Sequence, residues 1–251
     1  MDMASRAFQA KLLTTLEHVS RLSGESLPAA FQRWLEFMIL SIPGERARAE
    51  ASVRQGLRRA QDGVLEAFQG LGQGYLQAVE SSPLEDLLGP AYMELASRGG
   101  RAMLGQYFTP GPVGEAMARM VVGTHEEDRG RPYLTALEPC SGGGVLVLKS
   151  QLARQDAGLQ APLVWVCIDL DLVCTRLTAV QLAANRIPAV VLQADFLRFP
   201  SGQDGGLAPL VWPPLPDWPQ VSMGQVWALV EFLGNEAATG GLGPAAGEAA
   251  G

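Results

Sequence analysis

From Met3 to about Ser97 apolar residues recur at three- and four-residue intervals with almost no β-branched alternation, the period of helices that bury one face. The clearest helix opens at Ser26, carries Pro28 in its first turn, places Phe31, Trp34, Leu35, Met38 and Ile39 on one stripe, and closes before Pro43. A serine hydroxyl can accept from the first free backbone N–H groups, and a proline there has no N–H to leave unpaired. Further helices are predicted over about 5–22, 45–60 and 64–80, and Ser82 is placed to cap another from Pro83 to about Ala96, disturbed at Gly89-Pro90. The aromatic and methionine stripes read as core.

After Pro110 a helix is expected from about Pro112 to Val122, and then the period changes. Tyr133–Glu138, Leu163–Asp169 and Ala189–Gln193 are short apolar runs of the buried-strand kind, alternating with helical stretches at Val145–Gln155 and Asp171–Arg186. Strand and helix in alternation give a parallel sheet, here the βαβαβ half of a doubly wound α/β fold. Ser201–Pro219 is rich in glycine and proline with at most a short strand at Ala208–Trp212, and an amphipathic helix is expected at about Met223–Leu233. The pattern divides the chain into a helical domain (1–100), an α/β domain (101–233) and a Gly/Ala-rich tail (234–251) of disordered composition.

Composition narrows the partners. A net charge of −7 has the wrong sign for a protein that grips DNA by a broad electrostatic surface, so phosphate contacts would need a local groove or a partner subunit. The basic cluster Arg46, Arg48, Arg54, Arg58 and Arg59 is interleaved with Glu45 and Glu50 at helical spacing and reads as a solvated helix face. Cys140, Cys167 and Cys174 lack metal-ligand spacing, and each is expected as a small packed side chain; His18 and His125 stand apart from any ligand set. No apolar run is long enough to span a bilayer and the N-terminus has no signal-peptide block, so a cytoplasmic protein is expected.

The candidate chemistry lies at three strand ends. Glu138 ends the first strand, and Gly142 and Gly144 allow a tight turn into a helix, with N–H groups expected to face a ligand. Asp169 and Asp171 end the second strand, placed to accept from ribose hydroxyls; Asp195-Phe196 follows the third, offering an acceptor for an adenine amino group and an aromatic face for the ring. A dinucleotide site shares the glycine turn and the acid, but Gly142-Gly143-Gly144-Val145-Leu146-Val147 lacks the third glycine of that fingerprint. A third reading, in which the glycines only turn the chain and the acids only solvate strand ends, stays open.

At these residues the chain resembles the adenine-specific (N6) DNA methyltransferases, in particular the N-6 DNA methylase domain of type I restriction-modification systems and related mobile-element proteins. Gly105-Gln106-Tyr107-Phe108-Thr109-Pro110 matches the G-Q-[YF]-[YF]-T-P segment, and Glu138-Pro139-Cys140-Ser141-Gly142-Gly143-Gly144-Val145 aligns without gaps on [DE]-P-A-C-G-S-G-G, agreeing at Glu138, Pro139, Gly142 and Gly144. Leu87-Leu88-Gly89 through Tyr92-Met93-Glu94-Leu95 resembles the helical lead-in, and the likeness covers about residues 84–200. It implies a Rossmann-like S-adenosylmethionine-dependent methyltransferase sheet. The cofactor would be held by Tyr107, Phe108, Thr109, Pro110, Glu138, Pro139 and the Gly142 to Gly144 turn, with Asp169 on the ribose, Asp195 on the adenine amino group and Phe196 stacked on the ring.

The catalytic motif departs. The family's [DN]-P-P-[YF] accepts hydrogen bonds from the target amine and stacks on a flipped base. The corresponding position here is Trp212-Pro213-Pro214-Leu215, which has neither the acceptor nor the ring. The stretch after the third strand is also expected to be too short for the rest of a full sheet and for a target-recognition domain. Two expectations follow: a DNA methylation protein with a degenerate catalytic loop, working with a specificity subunit or a second methyltransferase half, or a non-catalytic S-adenosylmethionine-binding or assembly subunit of such a complex.

Overall fold

The computed structural model describes residues 3–41, 62–98, 108–122, 134–161, 163–196 and 209–211. The N-terminal region contains α1 (Met3–Ser23), α2 (Leu27–Ser41) and α3 (Asp62–Ser81). Ser26 caps α2, accepting from the Ala29 N–H at 3.4 Å. The predicted stripe of α2 is buried, and it meets Phe8, Leu12, Leu16 and Val19 of α1 and Val64, Phe68, Leu71 and Tyr75 of α3 in one core. Each such side chain, taken fully out of water, contributes about 1.5–3 kcal/mol, so the bundle rests on apolar area.

The helix predicted from Pro83 begins later, at α4 (Gly89–Arg98). Residues 82–88 are instead an irregular segment, with Leu84 in the left-handed region at φ 62°. Its backbone donors are taken by side chains distant in sequence: the Leu84 N–H donates to Asn185 Oδ1 at 2.8 Å, and the Leu87 and Leu88 N–H groups donate to Gln181 Oε1 at 3.0 and 3.3 Å. Those acceptors replace the helical ladder, and the helix starts only where the Gly89 N–H meets Asp86 Oδ1 at 2.8 Å.

Beyond α5 (Gly111–Val121) come β1 (Leu134–Glu138), α6 (Val145–Asp156), β2 (Leu163–Asp169), α7 (Leu172–Ala184), β3 (Ala189–Gln193) and the short β4 (Pro209–Val211). The sheet order is β1-β2-β3-β4, with the first three strands parallel and β4 antiparallel beside β3. Alternation along the strands decides the faces. Trp165, Cys167, Ala189 and Val191 meet Val147 and Leu148 of α6 and Ala179 and Leu182 of α7, while Val166, Ile168, Val190 and Leu192 point the other way. Both crossover helices therefore lie on one face, giving the predicted βαβαβ half.

The opposite side of α7 supplies Val173, Leu177 and Val180 to the bundle core, and Arg176 pairs with Glu36 of α2 at 2.7 Å. A helix packed between a sheet and a bundle has little solvent face, which is why α7 is apolar nearly all round. α5 packs on α6 through Gly114 and Ala118, where a Cβ on Gly114 would sit 3.4 Å from Val145 Cγ2. Arg119 of α5 bridges Glu115 and Asp156 at 2.9 and 2.6 Å. The helices expected over 45–60 and 223–233, the basic cluster and the 234–251 tail lie outside the described residues. No described helix is long and apolar enough to cross a membrane.

Candidate functional site at the strand ends

Between β1 and α6 the chain reverses over Pro139–Gly144. Gly142 and Gly144 hold φ of +53° and +88°, in the region that glycine enters without steric cost. The turn is closed by its own backbone and its neighbours: the Ser141 N–H donates to the Ile168 carbonyl at 2.9 Å, the Gly144 N–H to the Ser141 carbonyl at 2.7 Å, and the Gly142 N–H to Asp169 Oδ2 at 2.8 Å. The carbonyls are held as well, with the Thr178 hydroxyl donating to Gly142 at 3.0 Å and Gln181 Nε2 to Gly143 at 2.6 Å. Of the turn's N–H groups expected to face a ligand, those of Gly142 and Gly144 are instead spent inside the fold, because a turn that satisfies its own donors holds its shape.

The two acids at the end of β2 have different tasks. Asp169 accepts from Gly142 through one oxygen and from the Asp171 N–H through the other, at 2.8 and 2.9 Å. Each oxygen keeps a further acceptor position. Asp171 caps α7, its Oδ1 accepting from Val173 at 2.6 Å and Cys174 at 3.3 Å. It is a helix cap where a ribose acceptor was expected, since a helix opening one residue later presents the nearest unpaired donors. The Ala194 N–H donates to the Asp169 carbonyl at 3.0 Å, which brings the half-buried Asp195 to the same rim. Phe196 packs against the Val166, Ile168, Val190 and Leu192 cluster on the sheet face opposite α6 and α7.

Glu138 accepts from the Cys140 N–H at 3.2 Å. Burial, with the nearby Asp169 charge adding to it, holds the Glu138 carboxyl above the usual range. Cys140 is exposed, unlike the buried Cys167 and Cys174, so the expectation of three packed cysteines fails at this one. Desolvation and the Asp169 and Glu138 carboxylates raise its thiol, leaving it a poor nucleophile. Among the described residues no cluster of ligating side chains could hold a metal ion.

Phe108 covers the turn: a Cβ on Gly143 would lie 3.3 Å from its ring. The ring stacks on Tyr92 at 5.4 Å, and Tyr92 stacks on Phe31 at 6.3 Å, so aromatic contacts run from the bundle core to the glycines. Thr109 is half-buried and the exposed Pro110 opens α5. Pro139 is half-buried within the turn. Tyr107 and Trp212-Pro213-Pro214-Leu215 lie outside the described residues.

Thr178, Gln181 and Asp86 hold the site together, and none was singled out from sequence. A signal existed. In the apolar run of α7 and its C-cap, Thr175, Thr178, Gln181 and Asn185 recur at three- and four-residue spacing, one polar stripe on a helix whose other faces are apolar. A separate groove of about 740 Å³ runs along β1 between α5 and α6, lined in part by Met117, Val121, Leu134, Ala136 and Leu146. Of the strand-end acids it shares only Glu138.

No family model matches the chain, and no curated protein matches it. Among solved structures it is similar to a candidate class I S-adenosylmethionine-dependent methyltransferase from Listeria monocytogenes, at 15% identity and a TM-score of 0.42, covering 75% of this chain and 52% of that one. The chain spans about half the length of that protein.

Proposed function

We propose that this chain is an S-adenosylmethionine-binding module of the DNA adenine-N6 methyltransferase type, acting on DNA together with a partner subunit. The observation that carries the reading is Asp169, whose carboxylate fixes the Gly142 N–H and retains acceptor positions beside Glu138 and Asp195. An acidic rim suits a ligand that carries a sulfonium and an ammonium group. It disfavours a dinucleotide, whose pyrophosphate would bring negative charge to the same acidic rim.

In this reading Asp169 accepts from the ribose hydroxyls and Asp195 from the adenine amino group. The Gly142 to Gly144 turn, with Phe108 against it and Thr109 beside Phe108, borders the methionine end. When bound, S-adenosylmethionine supplies an electrophilic methyl group. The protein's part is to hold the methyl donor and align it with the amine. The Trp212 indole offers a donor where the target amine requires an acceptor, which favours a second reading: a subunit that binds the cofactor without transferring the methyl group, serving in the assembly of a restriction-modification or mobile-element complex.

Calorimetric titration tests the shared premise. Saturable binding of S-adenosylmethionine is expected, with NADH inert, and Asp169→Ala is expected to weaken it at least about tenfold, or about 1.4 kcal/mol. Absence of binding at millimolar ligand would overturn both readings. Transfer of a tritiated methyl group to unmethylated DNA then separates them. Transfer above that of a Trp212→Ala, Pro213→Ala double variant supports the enzyme, and transfer equal to it leaves the non-catalytic subunit.

A further inference from the structure

We propose that Gln181 is a positioning residue of the strand-end site, a latch that fixes the Gly143 carbonyl and ties the glycine turn to the irregular segment Leu84–Leu88. As a statement about ligand binding, this rests on the S-adenosylmethionine reading given above. Gln181 is fully buried on α7, and its amide is used at both ends. Oε1 accepts from Leu87 and Leu88 at 3.0 and 3.3 Å, while Nε2 donates to Asp86 Oδ1 at 2.7 Å and to Gly143 at 2.6 Å. Two donors and two acceptor directions are the full capacity of a glutamine amide, so no rotation of the side chain keeps the set.

The partners come from separate parts of the chain, 94 and 95 residues from Gln181 on the N-terminal side for Leu87 and Asp86 and 38 residues for Gly143. One amide therefore joins the lead-in to α4, the crossover helix and the turn. Thr178, one helical turn earlier, holds the Gly142 carbonyl in the same way at 3.0 Å. Lys149, itself buried, anchors the same lead-in to α6 through Glu85 at 2.8 Å. A displacement of the Leu84–Leu88 segment against α7 would move the Gly143 carbonyl, and with it the backbone that borders the ligand. Buried polar networks of this kind fix one geometry because every alternative leaves a group unpaired.

The test uses the full chain with two readouts. Gln181→Met keeps the length and removes every polar contact; Phe68→Leu, in the bundle core, serves as the comparator for a loss of stability alone. Hydrogen exchange is expected to quicken at least tenfold at Gly142–Leu146 and at Leu87 and Leu88 in Gln181→Met, with α1 and α3 as protected as in wild type. The dissociation constant for S-adenosylmethionine is expected to rise about tenfold, whereas Phe68→Leu lowers Tm and leaves turn exchange and affinity unchanged. Wild-type exchange at the turn, or a uniform loss of protection across the chain, overturns the latch, as does unchanged affinity. If wild-type protein binds no S-adenosylmethionine, the cofactor reading falls and exchange alone decides the latch. Should Gln181→Met fail to fold, Gln181→Asn, which withdraws the amide by one methylene, is judged by the same criteria.

Discussion

In the helical bundle, Trp34 and Tyr75 lie edge to face at 5.9 Å with both side chains fully buried, and among the described residues neither the Trp34 Nε1–H nor the Tyr75 hydroxyl has a hydrogen-bond partner. At the strand-end turn the Ser141, Gly142 and Gly144 N–H groups and the Gly142 and Gly143 carbonyls are all bonded. The bundle tolerates the desolvation of two polar groups, about 1–3 kcal/mol each, because the ring area buried around them outweighs it. The turn, buried at Ser141, Gly143 and Gly144, buries little apolar side-chain area and is specified by direction. One region supplies stability that depends on volume; the other supplies geometry that depends on individual donors and acceptors.

Substitutions can break that contrast. The largest effect is expected from Trp34→Ala, a loss of about 3–5 kcal/mol in urea unfolding, with the affinity of the remaining folded fraction for S-adenosylmethionine unchanged. A loss below about 1 kcal/mol would mean that the bundle does not rest on its aromatic core. Gly144→Ala should cost less, about 1–2 kcal/mol, because alanine is strained at φ +88°. It should nevertheless weaken ligand binding more than Trp34→Ala does, and equal or smaller weakening would show that turn geometry does not set affinity.

The smallest effect is one of pH. Burial, only partly offset by bonds from Gln181 and Gly89 and by the Lys149 charge, holds the Asp86 carboxyl above its ordinary range, with Glu85 acting in the same sense as burial. The folded protein then takes up this proton more readily than the unfolded chain, so this group's contribution to stability is fully present below the ordinary aspartate range and is lost as pH rises through the raised value. Asp86→Asn, which keeps an acceptor for Gln181 and Gly89, should flatten that part of a Tm-against-pH curve. Glu138, raised by the same cause, would leave a residual slope of the same sign. An unaltered curve would remove Asp86 as its source.

The bundle was the more legible region because its information is periodic. Phe31, Trp34, Leu35, Met38 and Ile39 could be assigned to one buried face from spacing alone, and the structure buries them all. The glycine turn and the three strand ends were legible for a similar reason: strands alternate with helices, and left-handed backbone selects glycine at Gly142 and Gly144. What failed was the assignment of polar groups, most of all those with distant partners. Pro83–Leu88 carries a helical signal, but Asn185 and Gln181 claim its donors. Asp171 was expected beside Asp169 as a ligand acid, and its side chain faces the start of its own helix.

By itself the sequence determined the order of helices and strands, the apolar faces and the position of the glycine turn, because propensity, period and φ preference act over a few residues. Only the tertiary structure decided which polar groups are already spent. A hydrogen bond between Gln181 and Gly143, or between Asp169 and Gly142, depends on elements brought together in space. That pairing makes Asp169 a candidate for holding a ligand and Gln181 a latch.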